Sequence, residues 1–169
     1  MHAMTEPSTR TIALLTAVTA GLALGIALIS EKWGGLAPCA LCLWERWPYR
    51  AIIALGLIAA SIGRGPARAL LWLAVLALLS DVAIAALHVG VEQHAWASPL
   101  PECQAPSFSG GSIADMLKAM PAHPAKPCDA ASYLIPGLPV SMAAMNLLFG
   151  IAFSLALAGA LWRNRRGYA

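Results

Sequence analysis

Cys39 and Cys42 are separated by two residues in the run Pro38-Cys39-Ala40-Leu41-Cys42-Leu43-Trp44-Glu45-Arg46. A disulfide closing so small a loop removes little chain entropy and makes a poor staple. Two thiols at this spacing suit redox exchange or half of a metal site better. Two further cysteines, Cys103 and Cys128, complete the set of four. Four cysteines allow three pairings. The local one is Cys39–Cys42, which leaves Cys103–Cys128 across 25 residues. Three chemistries compete: structural disulfides, a zinc site with thiolates joined by His88, His94 or His123, and a dithiol relay using both pairs. Only the relay also explains why one pair is anchored where a loop enters an apolar segment. Cys42 is read as beginning a helix, where free N–H groups and the dipole favour a thiolate. Arg46, four residues on, falls on the same helical face. Its guanidinium stays charged even when partly desolvated and can hold an anion; the bland alternative is an arginine that only snorkels.

The elements that position these residues are apolar. Of 169 residues, 59% are hydrophobic and 11% charged, against about 25% charged in soluble proteins. The net charge of +3 comes from basic residues at segment ends. That excludes a basic nucleic-acid stripe and favours a topology signal. Four spans are expected, about 11–29, 43–63, 69–87 and 140–162, with outer loops 30–42 and 88–139, all in one membrane domain covering 1–169. The fold class is therefore an all-α four-transmembrane-helix bundle. Only 13 residues lie between Arg50 and Arg64, too few to span. The second helix must then start near Leu43 and draw Glu45, Arg46 and Arg50 into its first turns, and charges at that depth are functional candidates. The first apolar run is long for a signal peptide and lacks a convincing cleavage site, so it is read as an uncleaved span. Arg10, Arg64, Arg68, Arg163, Arg165 and Arg166 share one side, which places both termini in the cytoplasm. All six tryptophans lie near span ends or in outer loops, as an interfacial belt requires.

Gly63-Arg64-Gly65-Pro66 is read as a tight inner turn. The loop from His88 to Pro139 holds 8 of the 12 prolines. Within this outer loop, Ser112 to Met120 is read as a short interfacial helix, with Ile113, Met116, Leu117 and Met120 forming one apolar stripe. Asp81 is a lone acid in the third span, able to pair with Arg46 or Arg50 or to face a cavity.

The motif Pro-Cys-x-x-Cys-Leu-x-Glu-Arg opening a second helix, the four spans and the later cysteine pair resemble the DsbB family over nearly the whole chain. That family comprises quinone-dependent disulfide-generating proteins of the bacterial inner membrane. The resemblance implies that a reduced periplasmic DsbA-like thioredoxin-fold oxidase exchanges with Cys103, that Cys128 then pairs transiently with Cys39, and that Cys42 faces a quinone (ubiquinone or menaquinone). It implies that Arg46 sits at the quinone. His88, where the third helix leaves the membrane, is assigned as the quinone-side histidine in preference to His94; an ordinary interfacial histidine is the alternative. Trp47-Pro48 departs from the motif, and the proline either kinks the helix or marks its start. The rival functions are a thiol oxidoreductase resembling the vitamin K epoxide reductase family, in which the shuttle cysteines precede the membrane pair, and a non-enzymatic metal-binding membrane protein.

Overall fold

A computed structural model describes residues 8–103, 126–135 and 137–166. Four helices occur among these residues, with no strand: α1 (Thr9–Lys32), α2 (Ala40–Ser61), α3 (Arg64–Glu92) and α4 (Met142–Arg166). A single 3₁₀ turn covers Pro101–Cys103. The expected interfacial helix at 112–120 lies outside the described residues.

The helix ends differ from the expected spans for local reasons. Ser8 caps α1 by accepting the Thr11 N–H at 3.2 Å, so the helix begins two residues early. Gly63 is the N-cap of α3, and Pro66 falls in its first turn, where a missing N–H costs nothing. The expected turn at 63–66 therefore shrinks to residues 62–63. At its other end α3 runs on to Glu92 and closes with His94 in the left-handed region at φ 55°. The Ala95 N–H reaches Gly90 O at 2.9 Å and the His94 N–H reaches Val91 O at 3.0 Å, the paired bonds of a Schellman closure. Trp96 folds back, donates its indole N–H to Leu87 O at 3.1 Å, and lays its ring over Gly90 so closely that a Cβ there would fall 2.0 Å from it.

α2 does not start at Pro48; it runs through the proline from Ala40. Glu45 and Arg46 are buried, while Arg50 is exposed with its guanidinium 5.0 Å from the Trp47 ring centre. α1, α3 and α4 are long and apolar enough to cross a membrane. α2 carries three charges, yet its 22 residues reach about 33 Å at 1.5 Å per residue.

The bundle is apolar outside. Leu15, Leu22, Leu76, Leu148 and Leu155 are all more than half exposed, a surface suited to lipid rather than water. Inside, α2 packs against α1 and α3, and α3 against α4. The interior joins Ile52, Leu71, Leu78 and Leu161 to small residues, Ala13, Ala20, Ala59, Ala67 and Ala74. Small residues let backbones approach where lipid offers helices no hydrophobic drive to associate. Gly56 shows how close: a Cβ would stand 3.0 Å from both Ala13 O and the Ala17 Cβ. Gly56→Leu is expected to destabilise the bundle by about 1–3 kcal/mol, measured as a lower melting temperature of the detergent-solubilised chain. An unchanged melting temperature would mean that α1 and α2 do not cross here.

Candidate functional site

The N-cap of α2 is Cys39, in extended conformation at φ −84° and ψ 172°. Its Sγ accepts the Cys42 N–H at 3.2 Å, the usual bond from a cap side chain into the first turn. This corrects the expectation that Cys42 begins the helix: the free N–H is directed at the Cys39 sulfur. The two sulfurs are 2.7 Å apart. The Cys42 side chain beside it holds the Cys39 thiol below its ordinary value, against the opposing effect of burial.

His88 is 3% exposed and presents Nε2 to Cys39 Sγ at 3.4 Å. Its Nδ1 lies 2.7 Å from Glu45 Oε1, which fixes the ring orientation and leaves Nε2 facing the sulfur. Glu92 Oε1 stands 3.9 Å from the same Nε2, and the other Glu92 oxygen accepts from the Ser141 hydroxyl. His94, the alternative histidine, is exposed and serves as the αL residue closing α3.

Behind His88 the polar groups continue inward. Asn146 of α4 donates from Nδ2 to Glu45 Oε2 at 3.1 Å and to Asp81 Oδ1 at 3.3 Å. Tyr49 donates its hydroxyl to Asn146 Oδ1 at 2.6 Å. One amide thus joins α2, α3 and α4. Asp81 is fully buried; it pairs with neither Arg46 nor Arg50, and it does not line the cleft described below. The reason is that Arg46 turns to α1 and Arg50 to the outside. Asn146→Ala would strip a donor from two buried carboxylates, at an expected cost of about 1–3 kcal/mol. Thermal unfolding would check it; a melting temperature equal to wild type would count against the cluster.

Arg46 pairs through Nη1 with Glu31 Oε2 at 2.6 Å. Its buried Nε has no partner among the described residues. Arg46, Cys42, Glu45, Tyr49 and His88 edge a cleft of about 340 Å³, walled by Leu22, Ala23 and Ile26 of α1, Ala143 and Phe149 of α4, and Leu36 and Leu134. Such a place suits a flat apolar molecule with a polar oxygen: greasy walls for the ring and a guanidinium at the edge for the oxygen.

The second pair, Cys103 and Cys128, forms a disulfide. It shares one buried cluster with Cys39, Leu41 and Val91, so all four sulfurs gather at one end of the bundle. Cys103 keeps 5% exposure and Cys128 none.

Glu45 sits inside the motif quoted above, but its bond to His88 spans 43 positions. Glu31 lies 15 positions from Arg46, and Asn146 lies 101 from Glu45. Asn146 leaves one trace in the sequence, an amide within an otherwise uncharged span, where polar groups are expensive. A protein-family model described as disulfide bond formation protein DsbB matches residues 9–160. No curated protein and no solved structure matches the chain.

Proposed function

We propose, on the premise that this chain belongs to the DsbB family, that it reoxidises a periplasmic DsbA-like thiol oxidase and passes the electron pair to a membrane quinone. Belonging to that family makes it a disulfide-forming membrane oxidoreductase; the partner, the acceptor and the residue roles are the reading offered here. The single observation that carries it is the Cys39–Cys42 pair opening on an apolar cleft edged by Arg46, with the Cys103–Cys128 disulfide in one buried cluster with Cys39.

In this reading the partner's thiolate attacks Sγ of Cys103, the less completely buried residue of its disulfide, and Cys128 leaves as a thiolate. Cys128 then attacks Cys39 in an oxidised Cys39–Cys42 pair, and Cys42 is released. The partner's second thiol resolves its bond to Cys103, and Cys103 in turn displaces Cys39 from Cys128. Each step forms one S–S bond and breaks another. The outcome is an oxidised partner, a restored Cys103–Cys128 bond and two reduced sulfurs at the cleft. A bound quinone supplies the oxidising equivalent, accepting two electrons and two protons. Arg46 places a permanent cation beside Cys42 and the cleft, favouring negative charge there. His88 Nε2 is positioned to take a proton from Cys39 Sγ, and Glu45 holds the ring in place for it. The apolar walls keep water away.

The test mixes purified chain, reduced DsbA-like partner and a soluble quinone and follows quinone absorbance. Consumption no faster than in buffer would defeat the proposal. α2 serves as the fourth crossing, with both termini cytoplasmic, the sulfurs periplasmic and the bacterial inner membrane as the location. A reporter that folds only in the cytoplasm should therefore be active when fused after Ala169. Activity only for a periplasm-specific reporter there would reverse the topology.

A further inference from the structure

We propose that the reduced site, Cys39, Cys42 and His88, binds one divalent cation of the zinc class, and that the bound metal halts turnover reversibly. The binding itself stands on geometry alone; its consequence for turnover rests on the redox function proposed above.

The sulfurs of Cys39 and Cys42 and a ring nitrogen of His88 lie within 4.8 Å of one another. Tetrahedral zinc, with Zn–S near 2.3 Å and Zn–N near 2.0–2.1 Å, sets sulfur and nitrogen ligands about 3.5 Å apart and two sulfurs about 3.8 Å apart. Cys39 Sγ and His88 Nε2 are already 3.4 Å apart. The two sulfurs, at 2.7 Å, must part by about 1 Å to reach that geometry. The half-buried Cys42 side chain faces the cleft and has room to make that move.

The surroundings of His88 favour a metal for a second reason. Glu45 occupies Nδ1 at 2.7 Å, so the lone pair of the neutral ring is on Nε2, facing the sulfurs. A carboxylate behind a histidine is the common support of a zinc-binding imidazole. Two thiolates and one divalent cation sum to zero charge, which suits a buried place. Thiolate and imidazole ligands select zinc-like ions over magnesium or calcium. Three protein ligands leave the fourth position open toward the cleft. Binding belongs to the reduced state only, because disulfide sulfurs carry no thiolate charge. Conversely, two sulfurs held on a metal cannot join to each other, so the electron pair stays on them until the metal leaves.

Cobalt(II) is the probe. The full chain, and a Cys103→Ser/Cys128→Ser chain with only two thiols, are reduced with a non-chelating phosphine in detergent without air. The expected result is one cobalt per chain, with a near-ultraviolet thiolate-to-metal band and the strong visible bands of a tetrahedral ion. Oxidising Cys39 and Cys42 to their disulfide removes the spectrum. Glu45→Gln weakens binding by about 10-fold or more, and His88→Ala weakens it further. Zinc stops quinone consumption by the wild-type chain, and a chelator restores it. The same spectrum in the oxidised chain or in Cys39→Ser, or no spectrum at all, would overturn the proposal. Wild-type protein gives a check that needs no variant: saturating zinc shields Cys39 and Cys42 from maleimide, and undiminished labelling overturns the site. A chain that binds cobalt yet consumes no quinone defeats the redox function and leaves the metal site standing. A chain that consumes quinone without the cobalt spectrum defeats the metal site alone.

Discussion

Cys42→Ser is expected to abolish quinone consumption, lowering the steady-state rate by about 10³-fold or more, the scale on which losing an essential nucleophile is felt. The argument is chemical and positional together. A serine hydroxyl can neither form a disulfide nor ionise near neutral pH, so the electron pair has no sulfur from which to leave. Of the two membrane-side sulfurs, Cys42 edges the cleft, while Cys39 shares its buried cluster with Cys103 and Cys128. The variant retains the Cys103–Cys128 bond, so it should still oxidise about one equivalent of partner and then stop. Stopped-flow absorbance reads the quinone, and gel-shift alkylation reads the partner. A variant that turned over at the wild-type rate would remove Cys42 from the electron path.

The second large effect belongs to Arg46. Arg46→Ala is expected to reduce kcat/KM for quinone by about 10²–10³, the range for losing one preorganised donor to developing negative charge. Exchange between the partner and Cys103 should stay close to wild type, because Arg46 edges the cleft beside Cys42 and is not in the cluster that holds Cys103. Glu31 loses its partner in this variant, but its side chain is 32% exposed and can hydrate. Arg46→Lys should recover part of the loss, since it restores a charge without the planar fork. Equal losses in the two half-reactions would contradict the assignment.

The parts of this site that sequence makes legible are those encoded over short distances. Two cysteines three positions apart, an arginine one turn later, and three long apolar runs with a shorter one between them are all visible in the sequence. The helical register that places Arg46 near Cys42 is local geometry. Helix ends are less legible, because Pro66 is both a breaker and a good first-turn residue, and only the Gly63 cap decides between the two. Likewise Cys39 is the cap and Cys42 the residue one turn in, a distinction that rests on a single extended ψ angle. The partners of Arg46, Glu45 and Asp81 come from other helices, and no periodicity in α2 or α3 points to Glu31 or Asn146. His88 and His94 differ through the closure of α3, which no sequence pattern announces: the helix continues past His88, which is buried, and ends by placing His94 in a left-handed, exposed position.

The connection between α2 and α3 is two residues long, whereas α4 arrives only after the long stretch following Glu92. During synthesis the first three helices can therefore gather as one early unit, carrying Glu45 and Asp81 before any amide is available to them. Asn146, on α4, emerges from the ribosome only after that stretch and supplies the amide. A chain interrupted before α4 leaves Glu45 held by His88 alone and Asp81 without its amide donor, a defect costly enough in an apolar interior to mark an unfinished molecule for the cell's proteases.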